Sequence, residues 1–198
     1  MNSISCGQAP GVSNGFVSAL WALDAVFQMA RVGVNGVNIH TYVKAPYELF
    51  TFARRQGKWT GFVEPEYYGL EMFAQAAPAG AHLLHTSGAL GSVRAWATHG
   101  PDGTTRVVLI NDDTAHTHTV AVRIPGTHGA ATVERLRGKG LTATTSVTLG
   151  GQGFGNTTTT GTLAGRSAIA TVEPANGAYA VRLPRASAAM LTIAPTSA

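Results

Sequence analysis

The side chains best equipped for chemistry fall into short clusters. Glu64 and Glu66 flank Pro65, and paired carboxylates are common machinery for general acid/base catalysis. Their place at the start of a predicted helix favours a simpler role, complementing the positive end of the helix dipole. Asp112, Asp113, His116 and His118 have metal-ligand chemistry at close spacing. They also stand where a hairpin must turn, and Asx residues favour turns, so the turn reading is preferred. Gly151-Gln-Gly-Phe-Gly155 has the look of a phosphate loop, but it lacks the third glycine of the dinucleotide pattern and no helix is expected after it. Glycines there serve a tight sandwich loop instead. Serine is plentiful, yet no Gly-x-Ser-x-Gly elbow is present to expose a nucleophile. The single cysteine, Cys6, excludes an internal disulfide and a multi-cysteine zinc site and reads as a small, half-buried residue. No catalytic constellation, metal site or cofactor loop emerges from these residues.

Those clusters sit in a chain built to fold. Of 198 residues 44% are hydrophobic and 12% charged, enough apolar material for a core. Lys and Arg total 14 against 10 Asp and Glu, a net charge of +4. The cations are scattered, apart from Arg54, Arg55 and Lys58, which read as a solvated helix end. Nucleic acid is therefore not an expected partner, whereas a mild positive charge suits a protein that meets acidic sugars. No stretch reaches the roughly 20 apolar residues of a membrane helix, and Met1–Cys6 has no leader-like pattern, so no membrane partner is expected and localisation is left unassigned.

Two textures divide the chain. Residues 14 to 32 carry Phe16, Leu20, Leu23, Phe27 and Ala30 at spacings of three and four, thickened by Val17, Trp21 and Ala25. Such a helix must be covered on most sides. Ser13 or Asn14 is its expected cap, and Gly33 its stop. Val34–His40 follows as a β-type segment, a helix is expected over residues 65–77 before Pro78, and a further one over Tyr47–Arg55. Helix, short loop, strand and polar loop is the grammar of a (β/α) barrel. Beyond residue 80 the period becomes two, through Val93, Ala95 and Ala97 to Leu191 and Ile193. Turn signals at Pro101-Asp-Gly103, Asn111-Asp-Asp113, Pro125-Gly126, Gly150-Gly151 and Asn176-Gly177 separate the runs, as in an antiparallel sandwich. The expected fold is α+β: residues 1–80 as the last strands and helices of a (β/α)8 barrel, and 81–198 as an accessory β-sandwich.

One string is more specific. Asn2-Ser3, then Gly11-Val-Ser-Asn-Gly-Phe16, Ala19-Leu-Trp-Ala-Leu-Asp24 and Gly36-Val-Asn-Ile-His40 together resemble the heparanase-like β-glucuronidases of glycoside hydrolase family 79. Pro46-Tyr47, Tyr67-Tyr-Gly69 to Phe73-Ala-Gln-Ala76, Val147-Thr-Leu-Gly-Gly-Gln152 and Thr160-Gly-Thr-Leu163 continue the likeness to the end of the chain. The resemblance implies the final third of a retaining glycosidase, whose two carboxylates stand about 5 to 5.5 Å apart. In the family the nucleophilic Glu precedes the Asn-Ser pair by one intervening residue, a position that Met1 fills here. Both carboxylates therefore lie upstream of Met1. The resemblance implies no catalytic residue in this chain, a glucuronic-acid-containing saccharide or glycoside as the ligand of the full-length parent, and the missing N-terminal barrel portion as partner.

By the same resemblance Asn2, Ser3 and His40 face the sugar, with Tyr42 and Pro46 in the neighbouring loop, and Tyr47 binds the glucuronate carboxylate. A phenol suits that task because it donates a hydrogen bond without bringing a charge. The competing reading is a free-standing carbohydrate-binding or protein-interaction module. A sugar platform needs exposed aromatic faces, for which the sandwich offers chiefly Trp96, Phe154 and Tyr179.

Overall fold

The computed structural model describes residues 1–4, 10–88, 91–127 and 129–195; Cys6 lies outside them. The chain runs α1 (Phe16–Arg31), β1 (Phe50–Arg55), β2 (Lys58–Val63), α2 (Pro65–Ala76), β3 (His82–Leu84), β4 (Val93–His99) and β5 (Thr105–Asn111). It continues with β6 (His118–Val122), β7 (Ala131–Arg137), β8 (Thr148–Leu149), β9 (Ala170–Val172), β10 (Tyr179–Leu183) and β11 (Ser187–Ile193).

The larger sheet has the order β3-β4-β5-β11-β7-β8, with β9 also on β7, and every pairing is antiparallel. Strands β10 and β6 form a second, two-stranded sheet. Side chains alternate across a strand, and here both faces of the large sheet are covered. Val108, Ile110, Ala188, Met190, Trp96 and Leu136 face the helices. Val107, Leu109, Ala189, Leu191, Ile193 and Val133 face Tyr179, Val181 and Leu183 of the second sheet. Burial on both faces explains why β5 and β11 read as unbroken apolar runs rather than as clean alternation. The result is a layer of two helices, a large sheet and a small sheet, the last two forming the sandwich.

Helices α1 and α2 pack tightly. Phe16, Leu23 and Phe27 are fully buried, each side chain worth about 1.5–3 kcal/mol of hydrophobic stabilisation. Phe27 meets Phe73 edge-on at 4.8 Å and stacks on Trp96 at 5.4 Å, while Trp96 Nε1 donates to Asp24 at 2.8 Å. The helix stop at Gly33 holds: its φ is +80°, and Gly33 N and Val34 N donate to Ala30 and Met29, the Schellman arrangement. The expected cap does not. Gly15 occupies the cap position, and the first free amides, Phe16 N and Val17 N, donate to the carbonyls of Ala143 and Leu141 at 2.9 Å each. Asn14 instead accepts from Gly11 N. A distant loop thus satisfies what a local side chain was expected to satisfy.

Two further expectations need correction. Residues Tyr47–Arg55 form no helix; Phe50–Arg55 is β1, paired with β2 through a two-residue turn in which Gln56 and Gly57 both have positive φ. That is the turn geometry whose twist matches a hairpin. Arg54 and Lys58 therefore stand at a hairpin tip rather than at a helix end. Val34–His40 is extended but is not a strand: Met1 N donates to Asn38 O at 2.7 Å and His40 N to Met1 O at 2.8 Å, and nothing else described pairs with it as a ladder. A strand needs neighbours along its length, which this segment has at one point only.

Candidate functional site

The loop after Val34–His40 brings three of the four expected ligand residues together. Asn2 Nδ2 lies 3.5 Å from His40 Nδ1, at the limit of a hydrogen bond, and the His40 and Tyr47 rings are 5.4 Å apart and tilted by 31°. Met1 binds both Asn38 and His40 through backbone bonds, which fixes Asn2 beside His40. Ser3 does not join them: its Oγ is buried and has no hydrogen-bond partner among the described residues. Tyr42 is exposed and Pro46 half-buried.

Tyr47 owes its place to Glu48, a residue that sequence reading passed over. The Glu48 carboxylate accepts from Lys44 N at 2.8 Å and from Thr51 Oγ1 at 2.6 Å, while Leu49 N donates to Thr41 Oγ1 and Glu64 N to Leu49 O. Side-chain to backbone bonds of this type hold loops that lack a ladder of their own. The positive φ of Lys44, +65°, is a further sign that the loop is shaped rather than slack.

Glu64 and Glu66 are only 8% and 2% exposed. Two positions apart, they do not share a helix face. Burial pushes both carboxyls up to about 7, with the nearby Glu48 adding to the effect on Glu64. Glu64 is the cap residue of α2 and Glu66 stands in its first turn, the position expected to complement the helix dipole, but burial opposes their ionisation there. One oxygen of each carboxyl has no partner among the described residues.

The turn reading of residues 112–118 stands. Asp113 accepts from Ala115 N and His116 N, and its Oδ2 faces His116 Nδ1 at 3.0 Å and His118 Nε2 at 3.1 Å. Those backbone bonds hold the Asp113 carboxyl well below the usual carboxylate range. Asp112 pairs with Arg94 at 2.9 Å. Gly150 and Gly151 form a tight turn, with Leu149 bridged to Gln152. Trp96, Phe154 and Tyr179 are all buried, so the sandwich has no aromatic platform built from them. Among the described residues no helix is long and apolar enough to cross a membrane.

Two helices laid on an antiparallel sandwich is an arrangement that recurs in solved glycosidases. A 4-O-α-L-rhamnosyl-β-D-glucuronidase from Fusarium oxysporum, solved with Rha-GlcA, superposes with a TM-score of 0.73 at 20% identity, over 92% of this chain and 40% of that one. A GH51 α-L-arabinofuranosidase from Thermotoga petrophila gives 0.67 at 12% identity, over 97% and 41%. A GH30 endoxylanase from Clostridium papyrosolvens gives 0.61 at 15%, over 98% and 41%. The chain thus spans about two-fifths of these proteins, and the likeness is one of fold. Residues 95–190 match the glycosyl hydrolase family 79 C-terminal beta domain, and the chain fits the C-terminal part of a family 79 glycoside hydrolase. No curated protein sequence matches it.

Proposed function

We propose that the chain is the C-terminal part of a retaining glycosidase acting on β-glucuronides, whose two catalytic carboxylates belong to the N-terminal barrel portion of the parent protein. The observation that carries this reading is the family 79 domain match over residues 95–190. The closeness of Asn2 to His40 and of His40 to Tyr47 supports it from the ligand side. In this reading residues 1–80 complete a catalytic barrel, Asn2 and His40 hold sugar hydroxyls, and Tyr47 donates to the glucuronate carboxylate. The sandwich supports the barrel.

The purified 198-residue chain is expected to show no turnover of a chromogenic β-glucuronide, because double displacement needs both an acid and a nucleophile. Activity above the buffer blank that survives repeated purification counts against the proposal.

In a protein that also carries the barrel carboxylates, Tyr47→Phe should lower kcat/KM for the glucuronide about tenfold or more, while the matching glucoside changes little. The two sugars differ at C5, and one lost hydrogen bond to a charged group costs about 1.5–3 kcal/mol. An unchanged ratio of the two kcat/KM values removes Tyr47 from carboxylate recognition.

A further inference from the structure

Two strongly exposed aromatics lie not on the sandwich but on the β1–β2 hairpin. Phe52 is 66% exposed and Trp59 64% exposed. Directly paired residues of an antiparallel ladder point to the same face. The register pairs Phe50 with Val63, Phe52 with Gly61 and Arg54 with Trp59, so Phe50, Phe52, Arg54 and Trp59 share one face. The Phe52 ring lies over Gly61, where an added Cβ would stand 3.4 Å from it.

This face is joined to a second feature. Gly61 and Thr158 exchange backbone hydrogen bonds of 2.8 and 2.7 Å, seating the hairpin against the loop that lines a cleft of about 570 Å³. The cleft wall is rich in hydroxyls: Thr158 Oγ1 lies 3.4 Å from Thr160 Oγ1, which lies 2.8 Å from Thr162 Oγ1. The aromatic row continues into it, from Phe50 to Tyr67 at 4.9 Å and from Tyr67 to Phe154 at 5.8 Å. On this face the hairpin carries the cation Arg54 beside Trp59, and neither residues 50–63 nor residues 154–165 include an acidic residue.

We infer that the hairpin face and the threonine cleft together bind an acidic saccharide chain, extending ligand contact beyond a single sugar. The inference rests on the glycosidase reading above. Flat aromatic rings take the apolar CH faces of pyranoses, aligned hydroxyls exchange hydrogen bonds with sugar hydroxyls, and Arg54, the cation on the aromatic face, attracts uronate carboxylates. A neutral chain would satisfy the first two features and leave the charge without a purpose.

The test is calorimetric titration of the 198-residue chain with a tetrasaccharide containing two glucuronates, and with its carboxyl-reduced counterpart carrying glucose instead. Wild-type protein should bind the acidic chain at least tenfold more tightly than the neutral one. Trp59→Ala and Phe52→Ala should each weaken acidic binding tenfold or more without changing the melting temperature, since both side chains are exposed. Arg54→Gln should narrow the difference between the two ligands. Absence of wild-type binding, or equal binding by Trp59→Ala, overturns the inference. So does a sedimentation result in which Trp59→Ala dissociates a self-associated form that binds neither saccharide, because the face is then a protein interface. Failure here, with Tyr47-dependent turnover of a simple glucuronide intact in the longer protein, removes the saccharide platform alone; tight acidic-chain binding with no such turnover keeps the platform and removes the glycosidase reading.

Discussion

Gly69→Ala is expected to destabilise the protein by about 2–4 kcal/mol, although the same change in most helices stabilises. In an exposed helix interior, alanine is favoured over glycine by about 1 kcal/mol. Gly69 sits in the middle of α2 where that helix crosses α1, and a Cβ added there would lie 2.0 Å from the Ala19 carbonyl oxygen. The obstacle is backbone, which cannot rotate away as a side chain can. The helices would have to separate, loosening Phe27 from Phe73 and opening the core they share with β5 and β11. Overpacking of this kind costs about 1–3 kcal/mol and occasionally more. For a domain of this size each 1 kcal/mol moves Tm by roughly 2–4 °C. The control is Gly36→Ala, where an added Cβ meets nothing within 4 Å. Thermal melting should show a clear fall for the first variant and little change for the second. A rise in Tm for Gly69→Ala would mean that the helix crossing is looser than described.

The second large effect is on pH dependence. Glu64 and Glu66 have their carboxyls pushed up to about 7 from 4.5 by burial. Below about pH 4.5 both groups are protonated in the folded and unfolded chain alike, so they contribute no difference. Between there and pH 7 the unfolded chain ionises while the folded one holds its protons, and stability falls as pH rises. Above pH 7 the full cost persists, up to about 3 kcal/mol for each group at 1.36 kcal/mol per pH unit of displacement. Glu134, raised by burial and by Glu71, acts in the same direction. Asp102 and Asp113 are displaced the other way by their hydrogen bonds, but their effect is complete below about pH 5. The protein should therefore be more stable at pH 5 than at pH 8 in urea unfolding. Glu66→Gln should flatten that difference, raising stability at pH 8 by about 1–3 kcal/mol and leaving pH 5 nearly unchanged. If the glutamine variant is instead weaker at pH 8, Glu66 is ionised in the fold and has a cationic partner.

How much of this was written in local sequence varies element by element. Helices α1 and α2 were legible because apolar residues at three- and four-residue spacing need no distant partner to be recognised, and the stop at Gly33 is a local backbone preference. Strands β4 to β7, β10 and β11 were legible for the same reason, since period two and the intervening turn residues are both short-range signals. The β1–β2 hairpin was not: Gln56-Gly57 is a weak turn signal, and nothing local separates a strand from a helix over Phe50–Arg55. The pairing of Phe50 with Tyr67 and of Gly61 with Thr158 decided it. The site divides likewise. The resemblance to family 79, carried by motifs along the chain, pointed to Asn2, Ser3, His40 and Tyr47. Only the tertiary structure set Asn2 beside His40 and His40 beside Tyr47, left Ser3 apart, and made Glu48 the brace. It also raised the carboxyl pKa of Glu64 and Glu66 by burying them and capped α1 with Ala143 and Leu141. Periodicity and turn chemistry act between near neighbours and are written in the chain, whereas burial and capping by remote carbonyls exist only once distant segments have met.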